Sequence, residues 1–190
     1  MRVIAGRAGG RRLAAPPGAL TRPTADRVRE ALFSILGPPD DDASVLDLFA
    51  GAGALGIEAL SRGAARAVFV DRSRSALRYL RRNLEELGMA GLSQVHQDHG
   101  PRFAARLADG ADPGFYWIFL DPPYQTDLGT LTLAELGRAA QVLSPGGVAV
   151  LEHDRRRPPH DRYGYLVKAD CRRYGDTELS FYRADLHGSC

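Results

Sequence analysis

The loop Gly51-Ala52-Gly53-Ala54-Leu55-Gly56 constrains this chain most. It follows the apolar run Val45–Phe49 and leads into a helix-like segment that ends at Gly63. Glycines at the spacing Gly-x-Gly-x-x-Gly suit a tight strand-to-helix turn whose backbone approaches a ligand closely. Asp71 lies twenty residues beyond Gly51, at the end of the next apolar run, Ala67–Val70. A carboxylate there accepts hydrogen bonds from ribose hydroxyls. The same spacing also occurs in packing turns that bind nothing.

The rest of the chain repeats this strand-then-helix pattern. The stripe Leu77, Leu80, Leu84, Leu87 predicts a helix stopped by Gly88. A short strand, Ser93–His96, precedes Asp98 and a helix near Arg102–Ala108. Strand Phe115–Leu120 delivers Asp121, and a helix near Leu131–Val142 precedes the turn Ser144-Pro145-Gly146-Gly147 and strand Val148–Glu152. Repeated β-α units imply an α/β fold with a mainly parallel sheet and helices on both faces. The tail changes character: Tyr165–Tyr174 and Glu178–Arg183 flank Gly175-Asp176 as a hairpin. Ahead of the repeats, Arg2–Ala5 and Arg11–Ala14 read as a small β-hairpin arm. A helix from about Thr24 carries the stripe Val28, Leu32, Ile35, Leu36, stopped by Gly37-Pro38-Pro39.

At 190 residues one domain is expected, 1–190, with 1–40 as a basic N-terminal extension packed on it. No apolar stretch approaches the ~20 residues of a membrane span, and the start lacks the apolar core of a signal peptide. With two cysteines, Cys171 and Cys190, a disulfide framework is not expected and a reducing cytoplasm fits. The five histidines show no metal-ligand spacing with the cysteines, so no metal site is expected. The first thirty residues carry seven arginines against Asp26 and Glu30, and Arg155-Arg156-Arg157 with Arg162 forms a second cluster. Basic patches on a near-neutral chain suggest a phosphate-bearing partner. Lys168 is the only lysine, so arginine number alone carries less weight.

Asp121-Pro122-Pro123-Tyr124 holds the chemistry. The prolines fix φ and lack N–H groups, which leaves local carbonyls as acceptors. The Asp121 carboxylate and Pro122 carbonyl would accept the two N–H hydrogens of a base's exocyclic amine and aim its lone pair at an electrophile. Tyr124 would stack on the base, which must leave its stack. Alignment and electrostatic preorganisation would supply most of the rate. Asp47, ahead of the glycine loop, suits the ammonium of S-adenosylmethionine (SAM) and ill suits a dinucleotide pyrophosphate. Asp98 would accept from an adenine amine, and a helix-capping role competes with that reading. The cofactor expected is SAM.

Three segments together resemble the RsmD family of bacterial small-subunit rRNA guanine-N2 methyltransferases. They are Arg22-Pro23-Thr24-x-x-Arg27-Val28-Arg29-Glu30, Val45-Leu46-Asp47-Leu48-Phe49-Ala50-Gly51-x-Gly53-x-Leu55-Gly56, and Leu120-Asp121-Pro122-Pro123-Tyr124. Tyr174-Gly175-Asp176-Thr177, with Tyr182 beyond, adds to the likeness. The resemblance implies a Rossmann-like class I SAM-dependent methyltransferase fold with a seven-stranded sheet whose last strand is antiparallel. It implies cofactor contacts at Gly51, Gly53, Gly56, Asp71 and Asp98, and Asp47 and Phe49 are expected to join them. The target amine would be held at Asp121, Pro122, Pro123 and Tyr124, and RNA at Arg22, Thr24, Arg27 and Arg29. The partner implied is 16S rRNA in the 30S subunit or an assembly intermediate; a monomer with no membrane association is expected.

The nearest rival is a DNA adenine-N6 or cytosine-N4 methyltransferase, which usually carries a target-recognition domain for which this length leaves little room. A non-catalytic RNA-binding assembly factor and a nicotinamide oxidoreductase are two further rivals. The Gln125–Gly129 loop and the 155–162 basic cluster match no family pattern.

Overall fold

The structure is a computed structural model that describes residues 1–17, 23–110, 114–123 and 126–185, without the side chains of 23–25. The chain forms two compact units, Met1–Gln97 and the segment from Asp98 onward.

In the first unit, strands β1 (Ser44–Asp47), β2 (Arg66–Asp71) and β3 (Ser93–Gln97) pair in parallel in the order β3-β2-β1. Every residue of β1 is buried, as a parallel strand covered on both faces requires. Helices α1 (Pro23–Leu36), α2 (Ala54–Ser61) and α3 (Arg74–Glu86) complete this unit. Ser73 starts α3 by accepting a hydrogen bond from the Ala76 N–H at 3.2 Å. Ala76, Leu77, Leu80 and Leu84 are its buried apolar face. In α1 the buried face is Val28, Leu32 and Phe33, and Ile35 is exposed. The stripe is therefore rotated towards Phe33, over which the Arg62 guanidinium lies at 4.8 Å.

The N-terminal arm is a single antiparallel bridge, Arg2 to Arg12, seated on α2 and α3. Buried polar side chains hold it. Glu58, fully buried, accepts the N–H groups of Ile4 (2.7 Å) and Ala5 (3.0 Å) and pairs with Arg62 at 2.8 Å. Ser61 Oγ accepts the Ala8 N–H at 3.0 Å, and Asn83 both accepts from and donates to Ala14. Gly6 crosses α2 so closely that an added Cβ would stand 1.9 Å from the Ser61 carbonyl oxygen, at a φ of +78°.

In the second unit, α4 (Gly100–Asp109) precedes β4 (Phe115–Leu120), and α5 (Leu128–Leu136) precedes β5 (Leu143–Asp154). The fifth helix is shorter than its sequence pattern predicts, because Gly137 ends it and Ala140–Val142 forms a separate 3₁₀ turn. Strand β5 starts earlier than its apolar run and takes in the Ser144–Gly147 turn. It pairs in parallel with β4. Next come β6 (Arg162–Tyr163), β7 (Leu166–Tyr174) and β8 (Thr177–Ala184), and the order is β4-β5-β8-β7-β6. The hairpin returns antiparallel, as the tail predicts, with β8 between β5 and β7. The two-residue β6 makes eight strands among the described residues, where the family resemblance implies seven. Among the described residues no helix is long and apolar enough to cross a membrane.

Gly6→Ala should lower unfolding stability by about 2–4 kcal/mol, through strain at positive φ and collision with α2 backbone. Urea unfolding of the full chain measures it, and an unchanged midpoint would show that the arm is not seated on Ser61.

Candidate functional site

The glycine loop of the first unit is fixed by three polar side chains. Asp47, at the end of β1, accepts the Gly56 N–H through Oδ2 at 3.0 Å. Asp71, at the end of β2, accepts the Gly51 N–H at 2.8 Å and, through its other oxygen, the Ser73 N–H at 2.7 Å. Asn83 of α3 donates to the Ala52 carbonyl at 3.0 Å. Each glycine is required for a different reason. Gly51 has a φ of +54° with open space where a Cβ would be, so its left-handed backbone, and not packing, calls for glycine there. A Cβ on Gly53, whose φ is +94°, would meet Leu80 at 2.4 Å, and one on Gly56 would meet Phe69 at 2.3 Å. Those two positions are needed for helix–strand packing. Phe49 is half-buried at the head of the loop.

Asp47 is 1% exposed, and its Oδ1 has no hydrogen-bond partner among the described residues. Burial pushes its carboxyl up to about 7, opposed by the Gly56 and, more weakly, the Phe49 N–H groups and reinforced by nearby Asp71. A buried acceptor without a donor at the mouth of a ligand loop fits a ligand ammonium.

The second unit places Asp121, Pro122 and Pro123 at the end of β4, on the rim of a cleft of about 60 Å³. Its other walls include Thr126, Asp127, Gly129, Leu151, His153 and Arg157. Gly129 of α5 lets Pro122 pack close: an added Cβ would meet the Pro122 ring at 3.1 Å and Leu151 at 2.6 Å. The expectation that the local carbonyls stay open needs correction at Pro123, because Thr126 Oγ1 donates to that carbonyl at 2.8 Å. No donor among the described residues takes the Pro122 carbonyl. Tyr124 and Arg22 lie outside the described residues, as does the Thr24 side chain.

Two further residues have partners that the sequence does not show. The sequence pattern offers Asp98 as an adenine acceptor, but Arg102 holds its Oδ1 at 2.5 Å and Arg106 its Oδ2 at 2.5 Å, with the His99 N–H on Oδ1 as well. Burial would raise its carboxyl, and these donors outweigh that and hold it below the usual carboxylate range. The geometry makes it an anchor for α4. The family resemblance places Arg29 towards RNA. In the structure it is 5% exposed, and its guanidinium donates to the Arg2 carbonyl at 2.5 Å and to Asp26 at 3.1 Å. It ties the arm to α1 and leaves exposed Arg27 as the described RNA candidate on that helix.

Sequence reasoning missed the ion pair of Arg157 with Asp127 at 2.7 Å, which joins the 155–162 cluster to the 125–129 loop. No local pattern signals a pair thirty residues apart. It also missed Glu58 and Asn83, whose only signal is a polar residue on an apolar helix face.

The family described as Conserved hypothetical protein 95 matches residues 1–183. The chain belongs to this family, the RsmD family of methyltransferases. A Bacillus subtilis protein named "Putative rRNA methyltransferase YlbH" is 42% identical over 96% of this chain and 98% of its own. Ribosomal RNA small subunit methyltransferase D of Haemophilus influenzae is 33% identical over 83% of this chain and 81% of its own. A solved Escherichia coli structure titled as a putative methyltransferase, yhhF, aligns with a TM-score of 0.79 at 32% identity, covering 97% of this chain and 98% of that one. The fold is therefore the Rossmann-like class I fold, and the protein is a methyltransferase whose cofactor is SAM.

Asp47→Asn provides a signed test. A carboxyl raised from 3.8 to about 7 on folding costs stability as pH climbs across that interval, because the folded state retains a proton that the unfolded state has lost. The amide should therefore stabilise the cofactor-free protein by about 1–3 kcal/mol at pH 8 and flatten its stability between pH 4 and 7. SAM affinity should fall at least tenfold. Urea unfolding against pH and calorimetric SAM titration would measure both effects, and tighter SAM binding in the variant would refute the ammonium assignment.

Proposed function

We propose that this chain, working as a single methyltransferase domain, methylates the exocyclic N2 amine of a guanine in small-subunit ribosomal RNA. The observation that carries the reading is the Asp121-Pro122 corner at the carboxyl end of β4, where no donor among the described residues takes the Pro122 carbonyl. The ends of β1 and β2, which carry Asp47 and Asp71, are likewise carboxyl ends, where open α/β sheets bind ligands.

Each residue then has a task. Asp47 Oδ1 takes the ammonium of the cofactor's methionine, Gly51 gives close backbone approach, and Asp71 takes ribose hydroxyls while holding the loop. SAM, when bound, supplies an electrophilic sulfonium methyl. The Asp121 carboxylate and Pro122 carbonyl accept the two N–H hydrogens of the target amine, which aims its lone pair and stabilises the positive charge that develops there. Tyr124 stacks on the unstacked base. Guanine N2 is the target that the Arg22–Glu30 resemblance implies, and the names of the relatives support an rRNA substrate. The substrate particle is the 30S subunit or an assembly intermediate, the protein acts as a monomer in the cytoplasm, and Arg22, Thr24 and Arg27 lie towards the RNA.

Asp121→Ala should lose methyl transfer by at least a hundredfold while SAM affinity stays within twofold. Nucleoside mass analysis of rRNA from unmethylated small subunits incubated with SAM gives the readout. Methylation surviving in the variant, or absent from the parent chain, would overturn the reading. Arg27→Ala should weaken RNA binding, reduce the salt slope by about 1, and leave SAM affinity unchanged. Fluorescence titration with an rRNA fragment at several salt concentrations measures this, and equal loss of both affinities would make Arg27 a structural residue.

A further inference from the structure

Three adjacent antiparallel strands of the second unit bring a histidine, a cysteine and a carboxylate together. His153 on β5 stands opposite Glu178 on β8, and Cys171 on β7 stands opposite Ser180 on β8. Glu178 and Ser180 are two residues apart and so share a sheet face. The ligand atoms of His153, Cys171 and Glu178 all lie within 4.8 Å of one another. The Cys171 Sγ to Glu178 Oε2 distance is 3.7 Å. In a tetrahedral zinc site, metal–ligand bonds of about 2.0–2.3 Å place the ligand atoms roughly 3.3–3.7 Å apart. One edge already has that length, and small side-chain rotations would close the others.

The hydrogen bonds prepare the imidazole. His153 Nδ1 lies 3.1 Å from the Asp154 carbonyl oxygen, which can only accept, so Nδ1 carries the proton. Nε2 then has its lone pair free to accept, and it lies 2.9 Å from Ser180 Oγ. A backbone carbonyl fixing the tautomer in this way is what metal-ligating histidines use. The other groups are available too. Arg173, opposite Glu178, donates its Nε to the Gly175 carbonyl, and no cation pairs with Glu178 among the described residues. Cys171 is exposed and His153 and Glu178 are half-buried, so solvent reaches the cluster and can supply a fourth ligand.

We propose that His153, Cys171 and Glu178 form a binding site for a divalent cation of the zinc class, with Nε2, Sγ and a carboxylate oxygen as its ligands. The cation displaces the thiol proton to solvent, and Ser180 turns its hydroxyl to the thiolate, 3.8 Å away. Because His153 also walls the Asp121 cleft, occupancy fixes one side of that cleft. The inference does not depend on which nucleotide is methylated.

The test is cobalt(II) titration of the full chain carrying Cys190→Ser, so that the terminal thiol cannot contribute. A thiolate-to-cobalt charge-transfer band with intense visible absorption, bleached by zinc, is expected. Cys171→Ser should abolish the near-ultraviolet band, and Glu178→Gln should weaken zinc at least tenfold in chelator competition. Zinc should raise the melting temperature of the parent chain and leave that of Cys171→Ser unchanged. Absence of the band in the parent, or a zinc affinity unchanged by Glu178→Gln, overturns the site. Glu178→Gln is half-exposed and isosteric, so it stays folded and keeps the outcome decisive.

Discussion

The glycine loop is held from three sides by polar side chains, and the first unit is organised around that grip. Asp47, Asp71 and Asn83 come from β1, from the end of β2 and from the last third of α3, and each takes a backbone group of the loop. A loop with two left-handed glycines would otherwise sample many conformations. Fixed this way, it needs little reordering when a ligand arrives, and binding loses less entropy. The cost falls on Asp47, a carboxylate buried with one oxygen unpaired among the described residues. Such a group destabilises the empty protein and favours a cation that pairs with it.

Asn83 joins two parts of the first unit. Its amide binds Ala52 in the loop and Ala14 in the arm. The arm and the glycine loop therefore share one buried side chain. Glu58 and Ser61 extend this contact along α2, so the arm is built into the unit and not merely laid on it. Arg29 belongs to the same construction. Its buried guanidinium, with Nε unpaired among the described residues and its basicity lowered by burial, holds α1 to the arm.

Much of this is legible in the sequence. Strand positions follow from apolar runs bounded by glycine and aspartate, because fully buried parallel strands have no other signature. The glycine loop and Asp71 are legible because backbone geometry there tolerates few residue types. What the sequence hides has a common cause. Arg29 and Asp98 are charged, and charge in a sequence reads as surface or ligand contact. Only packing reveals that Asp26 and the Arg2 carbonyl enclose the one, and that Arg102 and Arg106 claim the other. Cys171 and His153 look unrelated in the sequence because the residues between them say nothing of strand order. Ile35 and Phe33 exchange places because an apolar stripe fixes a helix face only to within a residue or so.

The position of β8 has a consequence for synthesis. Its residues, 177–184, leave the ribosome last of all the described strands, yet they sit between β5 and β7. Until they arrive, β5 and β7 each present an open edge to the cell. The nascent second unit is thus incomplete for almost the whole of its translation, and a stall or cleavage before Thr177 would release a chain with two sticky edges.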